Sequence, residues 1–225
     1  MKAMILAAGR GERMRPLTDH TPKPLLPAAD KPLIEHTITQ LVTAGFTDIV
    51  INHAHLGGQI EACLGDGRQL GATIAYSPEG ETGLETAGGI INALPLLGDG
   101  PFLVVNGDIA TDFPYAELKN RTVDLAHLVL VNNPEHHPTG DFTLDHAGYV
   151  SDVGSEKWTF SGIGLYRAQL FSATSPGSSK LAPLLRAAMV GKHVSGQHYS
   201  GFWMDIGTPQ RLQELDARLR AQPLR

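Results

Sequence analysis

Short apolar runs alternate along the chain with longer amphipathic segments. The runs are rich in β-branched residues, and runs of this length and composition are typical of buried strands. We predict strands at MILAA (4–8), DIVINHA (48–54), ATIAYS (72–77), FLVVNGD (102–108) and AHLVLVNN (126–133). Most of them are apolar on both faces, which favours a parallel sheet covered on each side by helices.

Segments with a helical period separate these strands. Residues 30–45 place their apolar side chains on one face, with Asp30 as the expected cap, Pro32 in the first turn and Gly45 at the end. We also predict helices at residues 58–64 and 85–94. Strands and helices in alternation indicate right-handed crossovers. We therefore predict an α/β fold, a three-layer αβα sandwich around a mostly parallel, Rossmann-like sheet.

The pattern changes after Asn133. Residues 141–153 alternate around HAG and predict a small antiparallel hairpin, and further strands are predicted at 159–166 and 201–207. A helix is predicted at 180–190, and Thr208 with Pro209 opens a final one. Because no linker or internal repeat interrupts the chain, we expect one domain over residues 1–225. No assembly segment follows the last helix, so we expect a monomer.

Composition narrows the class of protein. The 225 residues are 42% hydrophobic and 18% charged, which is enough for a sizeable core, and the net charge is −5. An acidic chain disfavours nucleic acid as a partner. The single cysteine, Cys63, excludes an internal disulfide or a four-cysteine zinc site. No signal peptide or membrane-spanning run is recognisable, so we expect a cytoplasmic protein with no membrane partner.

The first loop, GRGERMRPLTDHTPKPL (9–25), gathers cations, glycines and prolines directly after the first strand. A glycine-rich turn at this place in an α/β sheet usually binds phosphate. The dinucleotide motif would need a glycine where Met14 stands, and the P-loop motif is absent. Gly9 and Gly11 allow backbone N–H groups to approach an anion, while Arg13 and Lys23 supply a guanidinium fork and a point charge. The alternative is a solvated basic loop.

The stretch LAAGRGERMRPLTDHTPKPLLP (6–27) resembles the signature of the sugar-1-phosphate nucleotidyltransferases. Later segments match in order: VVNGD (104–108), FSGIGLY (160–166) and WMDIGTPQRL (203–212). Among members of the family, the chain is most similar to the short bacterial uridylyltransferases that act on N-acetylmuramate α-1-phosphate. The resemblance implies transfer of a uridylyl group from UTP to that sugar phosphate. Guanylyl or thymidylyl transfer stays open, as does a non-catalytic sensor of nucleotides or phosphosugars.

Two aspartates end predicted strands, Asp108 in VVNGD and Asp205 in WMDIG. Two carboxylates brought together at one edge of a sheet repel each other unless a cation lies between them, and Mg²⁺ prefers oxygen ligands. Each could instead cap a turn or a helix. The resemblance implies that the pair holds the catalytic Mg²⁺, while Arg13 and Lys23 act as the catalytic cations.

The resemblance also implies where the substrates bind. The nucleotide is expected to contact Gly9, Gly11, Glu12, Arg13, Lys23, Glu79, Glu81 and Gly88. Capping of the helix by Glu85 and Thr86 is the alternative use of the last segment. Sugar hydroxyls need short polar partners and close approach, which makes Asn106, Asp141 and Gly162 the candidates. Lys157 precedes FSGI at a shorter spacing than the phosphate-binding lysine of larger relatives, so we expect a surface lysine there.

Overall fold

The computed structural model describes residues 1–222. Its strands are, in chain order, β1 (Ala3–Leu6), β2 (Pro27–Ala28), β3 (Lys31–Pro32), β4 (Asp48–His53), β5 (Thr73–Pro78), β6 (Phe102–Asn106), β7 (Ile109–Thr111), β8 (Ala126–Val131), β9 (Thr143–Leu144), β10 (Val150–Ser151), β11 (Thr159–Tyr166), β12 (Val194–Tyr199) and β13 (Trp203–Asp205). The α-helices are α1 (Leu33–Thr43), α2 (Gly57–Leu64), α3 (Glu85–Leu97), α4 (Leu181–Val190) and α5 (Pro209–Ala221).

The main sheet has seven strands in the order β12-β8-β11-β6-β1-β4-β5. The pairs β6-β1, β1-β4, β4-β5 and β12-β8 are parallel, and β11 runs antiparallel to both of its neighbours, β6 and β8. The prediction of a mostly parallel, Rossmann-like α/β sheet is confirmed. The carboxyl ends of β1, β4 and β6 lie side by side, since Leu6 pairs with both Asn52 and Asn106.

Alternating side chains of the sheet enter two separate cores. Ala3 and Ile5 of β1 pack with α1 and α2 on one face, while Met4 packs with α3 and α4 on the other. This period of two is what a pleated strand imposes. Because both faces are covered, the central strands are apolar throughout, and the three layers follow from that pattern.

A third, smaller core packs α5 beside the first loop. Leu212, Leu215 and Leu219 of α5 lie against Met14 and Leu26. The helix starts as the sequence predicts, because the Thr208 hydroxyl accepts a hydrogen bond from the Arg211 N–H at 3.3 Å and Pro209 occupies the first turn. This core ties the end of the described chain to the loop that follows β1.

Several boundaries differ from the sequence predictions. Helix α1 begins only at Leu33, because residues 27–32 form the β2-β3 pair and Asp30 accepts hydrogen bonds from Arg220 instead of capping α1. Strand β12 was not predicted, since its sequence VSGQHY is polar and lies at an edge of the sheet. The hairpin, β11 and α4 lie where the pattern places them.

None of the helices within residues 1–222 combines the length and the apolar character needed to cross a membrane.

Candidate active site

A cleft of about 920 Å³ opens at the carboxyl ends of β1, β4 and β6. This is where ligands bind in open α/β sheets. Its walls come from the loop after β1, from residues 79–86 and from the turn after β6. A second cavity of about 360 Å³ adjoins it, and Asn106 and Asp108 line both. We call the first the nucleotide cleft and the second the sugar cavity, after the ligands that the sequence predicts.

The first loop is held in a fixed shape around Gly11. Gly11 has a φ of +65°, and its carbonyl accepts hydrogen bonds from the Met14 N–H and the Thr18 hydroxyl, both at 2.8 Å. A Cβ at this position would lie 2.9 Å from the Thr18 methyl carbon. Met14 is buried in the third core. The residue that breaks the dinucleotide motif is therefore a hydrophobic anchor, which keeps Gly9, Glu12 and Arg13 exposed along the cleft.

Lys23 lies inside the cleft rather than on the surface. Its side chain is 9% exposed, and its Nζ donates to Asp108 Oδ2 at 2.6 Å. Asp108 follows Gly107, whose N–H bonds the Leu6 carbonyl at 2.9 Å; a Cβ on Gly107 would lie 2.7 Å from that oxygen. The turn after β6 thus lies directly against the end of β1. A largely buried ammonium at this point can meet the phosphate oxygens of a bound ligand.

Asp205 reaches the same place from the other end of the chain. Strand β13 pairs antiparallel with β7, so that Asp205 faces Ile109, and the Ile206 N–H donates to the Asp108 carbonyl at 2.7 Å. Asp205 Oδ1 accepts a hydrogen bond from Arg211, and His136 Nε2 lies 2.9 Å from the same oxygen. The sequence pattern favours a solvated loop at His136 and assigns no role to Arg211, because the contacts of both residues with Asp205 form only in the folded chain.

These two carboxylates fit a Mg²⁺ ion. Both line the sugar cavity, and each has one oxygen engaged: Asp108 Oδ2 by Lys23, and Asp205 Oδ1 by Arg211 and His136. The second oxygen of each accepts no hydrogen bond from residues 1–222. Within that range, no cluster of three or more His, Cys, Asp or Glu forms a protein cage for a metal. In proteins, Mg²⁺ is commonly bound by one or two carboxylates, and the phosphates of the substrate supply further oxygen ligands.

Glu79 is a buried carboxylate on the wall of the nucleotide cleft. Its Oε1 accepts from Asn52 Nδ2, its Oε2 accepts from the Leu84 N–H at 2.7 Å, and Asn52 Oδ1 accepts from the Ala7 N–H at 2.8 Å. The chain of hydrogen bonds joins the end of β1 to residues 79–84. Glu79 therefore fixes the loop that forms one side of the cleft.

Two of the residues predicted to bind the nucleotide do not line the cleft. Glu81 is exposed, and only its backbone carbonyl is engaged, by Arg10 Nη2 at 3.0 Å. Gly88 is buried in α3, where a Cβ would overlap the carbonyl oxygen of Gly177. Gly88 thus allows α3 to pack against the segment before α4. Gly83, with a φ of +70°, lines the cleft in its place, and no local feature of the sequence distinguishes it from Gly88.

Of the three residues predicted to bind the sugar, two line the sugar cavity and one does not. Asn106 and Asp141 line the sugar cavity. Gly162 stands behind Asn106, with a φ of +79°, and a Cβ there would lie 2.6 Å from the Asn106 side chain. It occupies the bulge of β11 between Phe160 and Ile163 and so makes room for Asn106. Lys157 is directed away, with its Nζ 3.2 Å from Asp152.

A family described as nucleotidyl transferase matches residues 2–152, about two thirds of the chain. The chain belongs to this family. The prediction of a nucleotidyltransferase is thereby confirmed. An N-acetylmuramate alpha-1-phosphate uridylyltransferase of Neisseria meningitidis serogroup B is 56% identical, over 96% of this chain and 97% of its own length. One of Caulobacter vibrioides with the same name is 35% identical, with 96% of each chain covered.

A solved structure from Bacillus anthracis, assigned as a glucose-1-phosphate thymidylyltransferase and crystallised with sucrose, shares the fold of this nucleotidyl transferase. It superposes with a TM-score of 0.85 at 25% identity, covering 98% of this chain and 95% of the other. The Rossmann-like architecture is therefore that of a nucleotidyltransferase.

A substitution at Gly89 tests whether the contact between Glu79 and Asn52 shapes the cleft. A Cβ on Gly89 would overlap Glu79 Oε1 and lie 2.8 Å from Asn52 Nδ2. We expect Gly89→Ala to lower the free energy of unfolding in urea by about 1–3 kcal/mol, although alanine favours a helix, because both neighbours are buried and bonded. The KM for the nucleotide should rise as well.

Gly58 in α2 is the matched control, since nothing lies within 4 Å of the Cβ position. There the same substitution should raise the free energy of unfolding by up to about 1 kcal/mol. Equal effects at Gly89 and Gly58 would contradict the role given to Glu79.

Proposed function

We propose that the chain transfers a uridylyl group from UTP to N-acetylmuramate α-1-phosphate and releases pyrophosphate. One observation carries the proposal: the 56% identity to an enzyme of that name extends over nearly the full length of both chains. In this structure the cleft that would hold the nucleotide is formed by the loop after β1, residues 79–86 and the turn at Asp108.

The proposed reaction is an in-line displacement. A phosphate oxygen of the sugar 1-phosphate forms a bond to the α-phosphorus of UTP, and the bond from that phosphorus to the bridging oxygen of pyrophosphate breaks. The attacking phosphate is already an anion, so no general base is required. Catalysis consists of positioning and charge stabilisation. The two cavities support this arrangement, because the residues that they share, Asn106 and Asp108, stand where the phosphates would meet.

The cations of the chain have separate tasks in this proposal. Lys23 Nζ, buried beside Asp108, would neutralise charge on the α-phosphate. Arg13 is exposed along the cleft, where its fork suits the leaving pyrophosphate. Asp108 and Asp205 would hold Mg²⁺, which when bound supplies further neutralisation of the phosphates and orients them.

We propose that the nucleotide and the sugar each bind to residues that line one of the two cavities. Gly9, Gly11, Glu12, Gly83 and the Glu79 loop would surround the nucleotide. Asn106 and Asp141 would meet the sugar. We also propose that the enzyme is a monomer and that it acts in the cytoplasm, where UTP is available.

Pyrophosphate release by the purified protein with Mg²⁺ tests the proposal. Five nucleoside triphosphates would be combined with the 1-phosphates of N-acetylmuramate, N-acetylglucosamine, glucose and mannose. We expect release with UTP and N-acetylmuramate 1-phosphate only. Release with GTP and mannose 1-phosphate would retain nucleotidyl transfer and refute the substrates, and no release in any combination would favour a sensor.

A further inference from the structure

The far wall of the sugar cavity carries two adjacent histidines, His136 and His137. Among residues 1–222, the other ionisable residues that line the cavity are Asp108, Asp141 and Asp205. Arg211 and Lys23 contact this lining, but they already pair with Asp205 and Asp108, respectively. Lys157, which lies between Asp141 and β11 in the sequence, is paired with Asp152, and Asp152 also forms an ion pair with Arg186 at 2.8 Å. Among the lining residues, the histidines are therefore the candidates to pair with a negative group on the sugar.

The two histidines differ in what they already contact. His136 Nε2 lies 2.9 Å from Asp205 Oδ1 and 2.8 Å from Arg211 Nη1, so it belongs to the surroundings of the expected metal ligand. His137 Nε2 instead bonds Asp141 Oδ1 at 3.1 Å. Asp141 is itself held, because its Oδ2 accepts from the Phe160 N–H at 2.8 Å. The orientation of the His137 ring is thus set by β11 through Asp141.

The second ring nitrogen of His137, Nδ1, is available to a ligand. Its Nδ1 has no hydrogen-bond partner among residues 1–222, and its side chain is 37% exposed in the cavity wall. A histidine whose two ring nitrogens both carry hydrogen can donate one hydrogen bond to a carboxylate and the other to a ligand. A donor of this kind can pair with a carboxylate through a charge-assisted hydrogen bond.

N-acetylmuramate differs from N-acetylglucosamine by a lactyl ether, which ends in a carboxylate. Building on the proposed function, we propose that His137, oriented by Asp141, binds this lactyl carboxylate and makes the enzyme selective for the acidic sugar. Asp141 then acts as a positioning residue for His137, in addition to any contact that it makes with the hydroxyls of the sugar.

The test compares N-acetylmuramate 1-phosphate with its lactyl amide, which has the same shape and no charge. For each variant, kcat and KM for the sugar phosphate are measured with UTP, and the acid-to-amide ratio of kcat/KM is taken. We expect the wild type to prefer the acid by about tenfold or more, the value of one charge-assisted hydrogen bond. In His137→Gln this preference should fall to within about twofold, through KM rather than kcat.

Two further variants complete the design. His146→Gln replaces an exposed histidine in the β9-β10 hairpin and should keep the wild-type preference. Asp141→Asn should lower the preference, since it removes the charge that orients the ring. An acid preference that survives in His137→Gln, or a wild type that does not distinguish acid from amide, would refute the inference while leaving uridylyl transfer intact. Failure of the wild type to use either sugar would refute the proposed function as well.

Discussion

Lys23→Met is expected to lower kcat for pyrophosphate release by about 10²–10³-fold, the usual cost of losing one group that stabilises the charge of the transition state. Lys23 Nζ lies 2.6 Å from Asp108 at the junction of the two cavities, and its side chain is only 9% exposed. A cation there is screened little by water, so its effect on a phosphate is large. Methionine keeps the length and the apolar stem of lysine and removes the charge.

Lys31→Met is the matched control, because Lys31 is exposed in β3 and lies outside both cavities. It should keep the wild-type kcat. Measuring the KM of Lys23→Met for each of the two substrates shows whether the variant loses substrate binding as well as turnover. A Lys23→Met enzyme that turns over at the wild-type rate would remove Lys23 from the mechanism.

Asp108→Asn is expected to reduce kcat/KM by about 10²-fold or more at saturating Mg²⁺, because an amide is a poor ligand for a hard cation whose charge stabilisation is worth several kcal/mol. The fold should survive, since the amide oxygen can still accept from Lys23. Asp205→Asn should act similarly. If both carboxylates serve one ion, the double variant should be no more than about threefold slower than the slower single variant.

Asp99→Asn changes the same residue type at an exposed site outside both cavities and should have no effect on the rate. Excess EDTA should abolish release by the wild type, and added Mg²⁺ should restore it. Turnover that persists in EDTA, or effects of Asp108→Asn and Asp205→Asn that multiply in the double variant, would contradict a shared ion.

Gly11 and Met14 show how far a motif can be read without a structure. The positive φ of Gly11 and the exposure of Arg13 follow from the spacing of glycines and cations after the first strand. The burial of Met14 does not, since its partners Leu212 and Leu215 are about 200 residues away. The sequence shows that the third glycine of a dinucleotide motif is missing, but only packing shows what Met14 does in its place.

Gly83 and Gly88 likewise show what the sequence alone cannot predict about the segment expected to bind the base. Both belong to one glycine-rich stretch, and local spacing does not distinguish them. In the fold, Gly88 faces the backbone near Gly177, whereas Gly83 lines the cleft. Which glycine meets a ligand depends on what packs against α3, and that partner lies about 90 residues further along the chain.

The sequence by itself determined the fold class, most strands and helices, the cap at Thr208 and the family. These depend on local periodicity, on turn residues and on a continuous motif. Only the tertiary structure decided that Lys23 is buried against Asp108, that Asp205 contacts His136 and Arg211, and that Asp141 holds His137. These contacts join side chains from different strands and loops, and their distances follow from the pairing and packing of the sheet rather than from neighbouring residues.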